Sequence, residues 1–226
     1  MRFDQLPLGA VVTLGSKLYR PWDGNSPRMP LKWYKVGPDK LLAYTSLFSD
    51  LPRSAEENGV SNFYPRSHVH QILQGLDKFF TPEELNVLQP FTIHVDVPKP
   101  LRRVYGKTYQ CDVFAALPAL SELIDLDHVG YVPGGLEKEE ETFFPGNNRP
   151  ENLYYISQLT RTASGSKSYR YAYAHNQFEN HKSSRHTAIK PVISILGTTE
   201  FMYDGESYVL IDQDLMLDED LLSCLL

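Results

Sequence analysis

Three histidines crowd the segment YRYAYAHNQFENHKSSRHTAIKPVISI, at His175, His181 and His186, and two more, His68 and His70, flank Val69. Imidazoles at close spacing are the raw material of a zinc site, which needs three or four nitrogen, sulfur or carboxylate donors. His68 and His70, however, fall on a predicted helix, where residues two apart point to different faces. No acid or thiol stands at a recognisable ligand spacing beside the other three. The two cysteines, Cys111 and Cys224, are far apart in sequence, which gives neither a zinc cluster nor a disulfide scaffold. Asn147-Asn148-Arg149-Pro150-Glu151-Asn152 offers oxygen donors of the type calcium takes, but such strings are ordinary loop composition. No Ser-His-Asp order, phosphate loop or dinucleotide fingerprint is found. The expectation is a non-enzyme with no catalytic residue, no metal and no cofactor.

Recognition chemistry is the other possibility. Tyr169, Tyr171 and Tyr173 alternate, so on a strand they share one face and form either an aromatic platform or one cover of a half-buried sheet. The polar segment NQFENHKSSRH after them reads as a connecting loop, and with the loop of residues 134–148 it is the expected recognition surface. Arg161, Asn180 and Arg185 join the tyrosines as candidate binding residues on polarity alone.

The segments that must position these residues can be read from pattern. Val11, Val12 and Thr13 favour a strand punctuated by Gly9 and Gly15. KWYKV and KLLAYTSL read as two strands joined by Gly37-Pro38-Asp39-Lys40. Ser67 suits the N-cap of a helix whose stripe is Val69, Ile72, Leu73 and Leu76. Thr81, Pro82 and Glu84 spell a capping box opening a short helix that ends before Pro90. FTIHVDV and CDVFAALP are strand-like, and a short helix is expected from about Ser121. ENLYYISQLTRT, SYRYAYAH, TAIKPVISILG and EFMYDGESYVLI are strand-like too, the last turning on Asp204-Gly205. SYRYAYAH and AIKPVISI are expected to be core strands of one mixed sheet. This order lacks the βαβ alternation of a doubly wound fold and predicts α+β, with a mainly antiparallel twisted sheet, two or three short helices and long loops.

Length and charge set the remaining bounds. At 226 residues the chain is one large domain, or one domain and an appendage. No stretch is long and apolar enough for a membrane span, and the N-terminus does not read as a signal peptide. Of 28 acids, eight lie after residue 196 with no base among them, leaving 20 acids against 22 bases in the body. That near-neutral balance does not suggest a large nucleic-acid patch. The chain is therefore divided into a domain of residues 1–196 and an acidic C-terminal hairpin and helix of residues 197–226. Asp214, Leu217, Asp218, Leu221 and Leu222 form a candidate docking face in the latter: its leucines either close on the body or meet a partner.

In block order, the chain resembles an uncharacterised domain-of-unknown-function family of bacterial and bacteriophage proteins. The blocks are SNFYPRSHVHQILQGLDKFFTPEEL, CDVFAALPALSELIDL, NLYYISQL, SYRYAYAH and AIKPVISI. Three positions depart from the family pattern: Ser157 stands where it has Arg, Lys190 replaces the Arg of its Val-Arg-Pro strand, and Ile72-Leu73-Gln74 replaces Trp-Leu-Asn. The end of the domain is also similar to C-type-lectin-like and formylglycine-enzyme-like modules. The resemblance implies a C-type-lectin-like core in a non-catalytic binding or assembly module, set in a bacteriophage virion as a tail, fibre or decoration component. The implied partners are other virion proteins or further copies of the chain, or a host surface glycan or protein, with no nucleic acid and no membrane span. Its place would be the virion, or the host cytoplasm before assembly. The alternatives are a small acidic inhibitor of a host protein and an enzyme on a formylglycine-enzyme-like scaffold.

Overall fold

The computed structural model describes residues 1–18, 25, 27–44, 47, 63–119, 158–163, 168–173, 177–182 and 189–211. Within them the chain is a mixed α+β protein of mostly strands, with a large antiparallel-rich sheet and few, short helices. That sheet contains β1 (Val11–Leu18), β2 (Arg28–Lys35), β3 (Lys40–Ala43), β6 (Ala115–Ala116), β10 (Val192–Ser194), β11 (Phe201–Tyr203) and β12 (Tyr208–Leu210). Its seven strands run in the order β11-β12-β1-β2-β3-β10-β6. Only the β1–β12 contact is parallel.

The β2–β3 hairpin forms where the Gly37-Pro38-Asp39-Lys40 turn composition places it, with Trp33 opposite Ala43 and Lys35 opposite Leu41. Along β2, Leu31, Trp33 and Lys35 are buried and the alternate Lys32 and Tyr34 are half-buried, the period-two signature of a sheet with one face on the core. All three residues of β10 are buried, so the sheet is covered on both faces there. Trp33 is fully buried, which contributes on the order of 4–6 kcal/mol by area. Its indole N–H donates to the Leu14 carbonyl at 2.8 Å, and its ring stacks on Phe80 at 6.2 Å.

Asp204-Gly205 turns the β11–β12 hairpin as its composition predicts. Asp204 Oδ1 accepts the N–H groups of Glu206 and Ser207, each at 2.8 Å, and Gly205 takes φ +106°. Through β12 this hairpin of the acidic C-terminal segment joins the same sheet as β1.

Beside the main sheet, β4 (Phe91–Asp96) and β5 (Thr108–Val113) pair as an antiparallel hairpin. The stretch CDVFAALP is not one strand: β5 ends at Val113, Phe114 is 54% exposed, and the chain then enters the main sheet as β6. An unbroken apolar string marks burial but not the point where a chain changes sheets.

A third sheet consists of β7 (Gln158–Ala163), β8 (Ser168–Tyr173) and β9 (Gln177–Lys182), antiparallel throughout. Two expectations are corrected here. SYRYAYAH and AIKPVISI do not share a sheet, since β8 lies between β7 and β9 while β10 lies between β3 and β6. Alternation specifies a ribbon but not its partner, and the neighbours nearest in sequence cost the least closure entropy. NQFENHKSSRH is not simply a loop either, because Gln177–Lys182 pairs with β8 over six successive positions. Polar side chains do not prevent a ladder made by backbone groups.

Gly15 lies inside β1, where the register against β2 shifts between Thr13 and Ser16. It has φ +79°, and a Cβ there would meet the Phe79 carbonyl oxygen and the Phe80 ring at 2.9 Å. Gly15→Ala should therefore lower unfolding stability by about 2–4 kcal/mol, read as a lower urea midpoint. An unchanged midpoint contradicts the packing described.

Candidate functional site

The described residues enclose an apolar cleft of about 220 Å³. Leu73, Leu76, Phe80, Leu88, Ala115 and Ile193 form its apolar lining, with Leu85, Phe114, Gln74 and Asp77 completing it. Phe114 at 54% and Leu85 at 37% exposure leave apolar surface facing solvent.

One wall is α1 (His68–Leu73) with the 3-10 turn Leu76–Phe79. Ser67 starts α1 as its sequence predicts: its Oγ accepts the His70 N–H at 3.1 Å and donates to the Tyr64 carbonyl at 2.7 Å. The helix buries Val69 and Leu73. The Gln74 amide reaches the Ala115 carbonyl at 3.3 Å, and the Tyr64 hydroxyl accepts the Leu117 N–H at 2.9 Å, fixing the β6 side.

The other wall is α2 (Pro82–Val87), which buries no residue of its own. Its capping box is complete: Thr81 Oγ1 accepts the Glu84 N–H at 3.3 Å and Glu84 Oε2 accepts the Thr81 N–H at 2.8 Å. Glu84 Oε1 accepts the Gly15 N–H at 2.7 Å, so the capping residue also ties α2 to β1. Where α2 ends, Leu88 bridges to Ile195, and the Gln89 amide donates to Ser194 Oγ and the Ile195 carbonyl, both at 3.1 Å. Ser194 Oγ lies 3.0 Å from Asp39 Oδ2, to which it donates. These polar groups are partnered and hold the floor strand in place.

One carboxylate and one amide amid aliphatic and aromatic side chains make this a place for an apolar group, with Asp77 the charged group beside it. Among the described residues, no group of three or more His, Cys, Asp or Glu is placed to hold a metal ion. Cys111 is half-buried on β5. Also among them, no helix is long and apolar enough to cross a membrane.

The residues singled out from sequence are dispersed. Tyr169, Tyr171 and Tyr173 are on β8, opposite His181, Glu179 and Gln177 of β9. Asn180 is opposite Arg170, at the alternate register position, so the structure does not bring it into the tyrosine series. Arg161 is on β7 between Leu159 and Ala163, where the register shifts. Arg185, His175, His186, Asn147–Asn152, the loop of residues 134–148 and the helix expected from Ser121 lie outside the described residues, as do Asp214, Leu217, Asp218, Leu221, Leu222 and Cys224. His68 is exposed and His70 half-buried on α1. The sequence reading missed the cleft because its lining comes from four separate segments. Its one local signal was Phe114, which follows Tyr109, Cys111 and Val113 out of step with their alternation.

No family model matches the chain, and no curated protein or solved structure matches it. The class that the fold and cleft define is thus a mixed α+β protein, rich in antiparallel strands, with an apolar cleft between its short helices and the end of its main sheet.

His70 stands edge-on to Tyr64 at 5.1 Å beside this wall, and burial pushes its imidazole below the ordinary value. The unfolded chain therefore binds this proton more readily than the folded one. Stability from this group is complete above about pH 6.5 and declines as pH falls toward the lowered folded value. Thermal melts between about pH 7.5 and 5 should fall less in His70→Gln than in the native chain; equal slopes contradict the assignment.

Proposed function

We propose that the chain is a non-catalytic binding or assembly module with a C-type-lectin-like core, acting in a bacteriophage particle as a tail, fibre or decoration component. The supporting observation is the apolar cleft, whose lining residues Phe114 and Leu85 are exposed while its floor is fixed by buried strands. A fixed apolar recess accepts a partner's aromatic or aliphatic side chain with little ordering cost. The exposed Met202 and Tyr203 on the edge strand β11 add apolar contact area elsewhere on the same sheet. The virion setting comes from the resemblance of the helical and strand blocks to phage proteins.

The test is association. The purified chain should self-associate or co-sediment with particles from its source strain. Phe114→Asp should weaken that association about tenfold or more, with a melting temperature within about 3 °C of the native chain. A native chain that sediments as a monomer at every concentration and is missing from the particles overturns the proposal.

A further inference from the structure

The near-neutral charge of the body conceals a local concentration of positive charge. Between Val97 and Cys111 there is no acid, and Lys99, Arg102, Arg103 and Lys107 fall within nine residues. All four are exposed. They sit at the tip of the β4–β5 hairpin, on the 3-10 turn Lys99–Leu101, on α3 (Arg102–Tyr105), and just after Gly106, which has φ +79°. Among the described residues the ion pairs are Arg2–Asp4, Lys32–Glu206 and Lys40–Asp39, so none of the four takes part in one.

The tip is held by packing. Val97 and Leu101 are buried with Phe63 in a small cluster of their own, against which Tyr105 and Tyr109 pack. Phe63 lies 4.9 Å from the Tyr105 ring and 5.8 Å from Tyr109. Arg102 Nε donates to the Val97 carbonyl at 2.9 Å, which fixes the base of its guanidinium. Val104, between Arg103 and Tyr105, is 74% exposed.

We propose that this basic hairpin tip binds single-stranded nucleic acid, with its four cations on phosphates and Val104, Tyr105 and Tyr109 against unstacked bases or sugars. Adjacent guanidinium forks match phosphate oxygens in pairs. Apolar and half-exposed aromatic surface between the cations suits a polymer that alternates charge with flat rings, and only a single strand exposes those rings. An acidic peptide would use the cations alone. A membrane surface calls for a broad apolar face, and Val104 is a single side chain. The site lies on different residues from the cleft and does not depend on the assembly reading.

The probe is a fluorescent oligothymidylate of about 20 nucleotides, followed by anisotropy, with a duplex of equal length, a polyglutamate peptide and anionic vesicles as competitors. The native chain should bind the single strand, and affinity should fall on the order of 20- to 50-fold between about 50 and about 200 mM salt if three or four phosphates are neutralised. Arg103→Glu with Lys107→Glu should weaken binding about tenfold or more. Arg103→Gln with Lys107→Gln, which adds no repulsion, should flatten the salt dependence by about 1.4 in log–log slope. Lys78→Glu, an exposed change elsewhere, should leave binding unaltered. No binding at about 50 mM salt, binding indifferent to both tip variants, or stronger competition by duplex, peptide or vesicles each overturns the proposal.

Discussion

The bulge at Gly15 is the constraint on which the described core depends. A bulge leaves strand amides and carbonyls without ladder partners, and buried backbone groups must find others. Here the Leu14 carbonyl goes to the Trp33 indole and the Gly15 N–H to Glu84. Each partner also has a second task. Trp33 fills the core against Phe80, and Glu84 completes the cap of α2. One irregularity in β1 therefore sets the position of the aromatic core and of the helix that forms a wall of the cleft. The left-handed φ and the closeness of Phe79 and Phe80 reserve the site for glycine.

The N-terminal residues close the sheet at its other side by a comparable use of a polar side chain. Lys35 is almost fully buried at the end of β2. Its ammonium donates to the carbonyls of Phe3 and Leu6 at 2.7 Å and of Asp4 at 3.2 Å, and lies 5.0 Å from the centre of the Phe3 ring. Burial lowers its pKa, and the nearby Asp4 charge works in the opposite direction. A buried ammonium is tolerable only when its donors are satisfied, and these three carbonyls do so while holding the 3-10 turn Phe3–Gln5 against the sheet. The Phe3 N–H donates to Thr199 and the Phe201 N–H to Met1, which joins that turn to β11. Phe3 and Phe201 are both fully buried beneath the seam.

Local rules that act over a few residues were readable from sequence. The capping box of Thr81 and Glu84, the Ser67 cap, the Gly37–Lys40 hairpin and the Asp204-Gly205 turn each depend on residues two to four apart, and all four form. Choice of strand partner beyond those two hairpins was not readable, because a period of two states which residues share a face and nothing about what lies beside them. Hence β8 and β10 occupy different sheets, and the polar β9 is a strand by virtue of its backbone. Gly15 was legible as punctuation, but its place inside a continuing strand is decided by Glu84, far off in the sequence. The cleft was hidden for the same reason, since Leu73, Leu88, Phe114 and Ile193 meet only once the sheet has formed.

The β4–β5 hairpin connects two surfaces with different chemistry. Its inward residues Ile93, Val95 and Val113 belong to the main core, so it is anchored along its length. At one end, Val113 pairs with Phe91 and is followed by Phe114 of the cleft; at the other, Asp96 pairs with Thr108 beside the basic tip. Six residues of strand separate these ends by roughly 20 Å. The cleft therefore offers apolar contact at one end of a rigid ribbon, and the tip offers charge at the other. Salt screens the second strongly and the first hardly at all, so ionic strength separates what each end contributes to any ligand that reaches both.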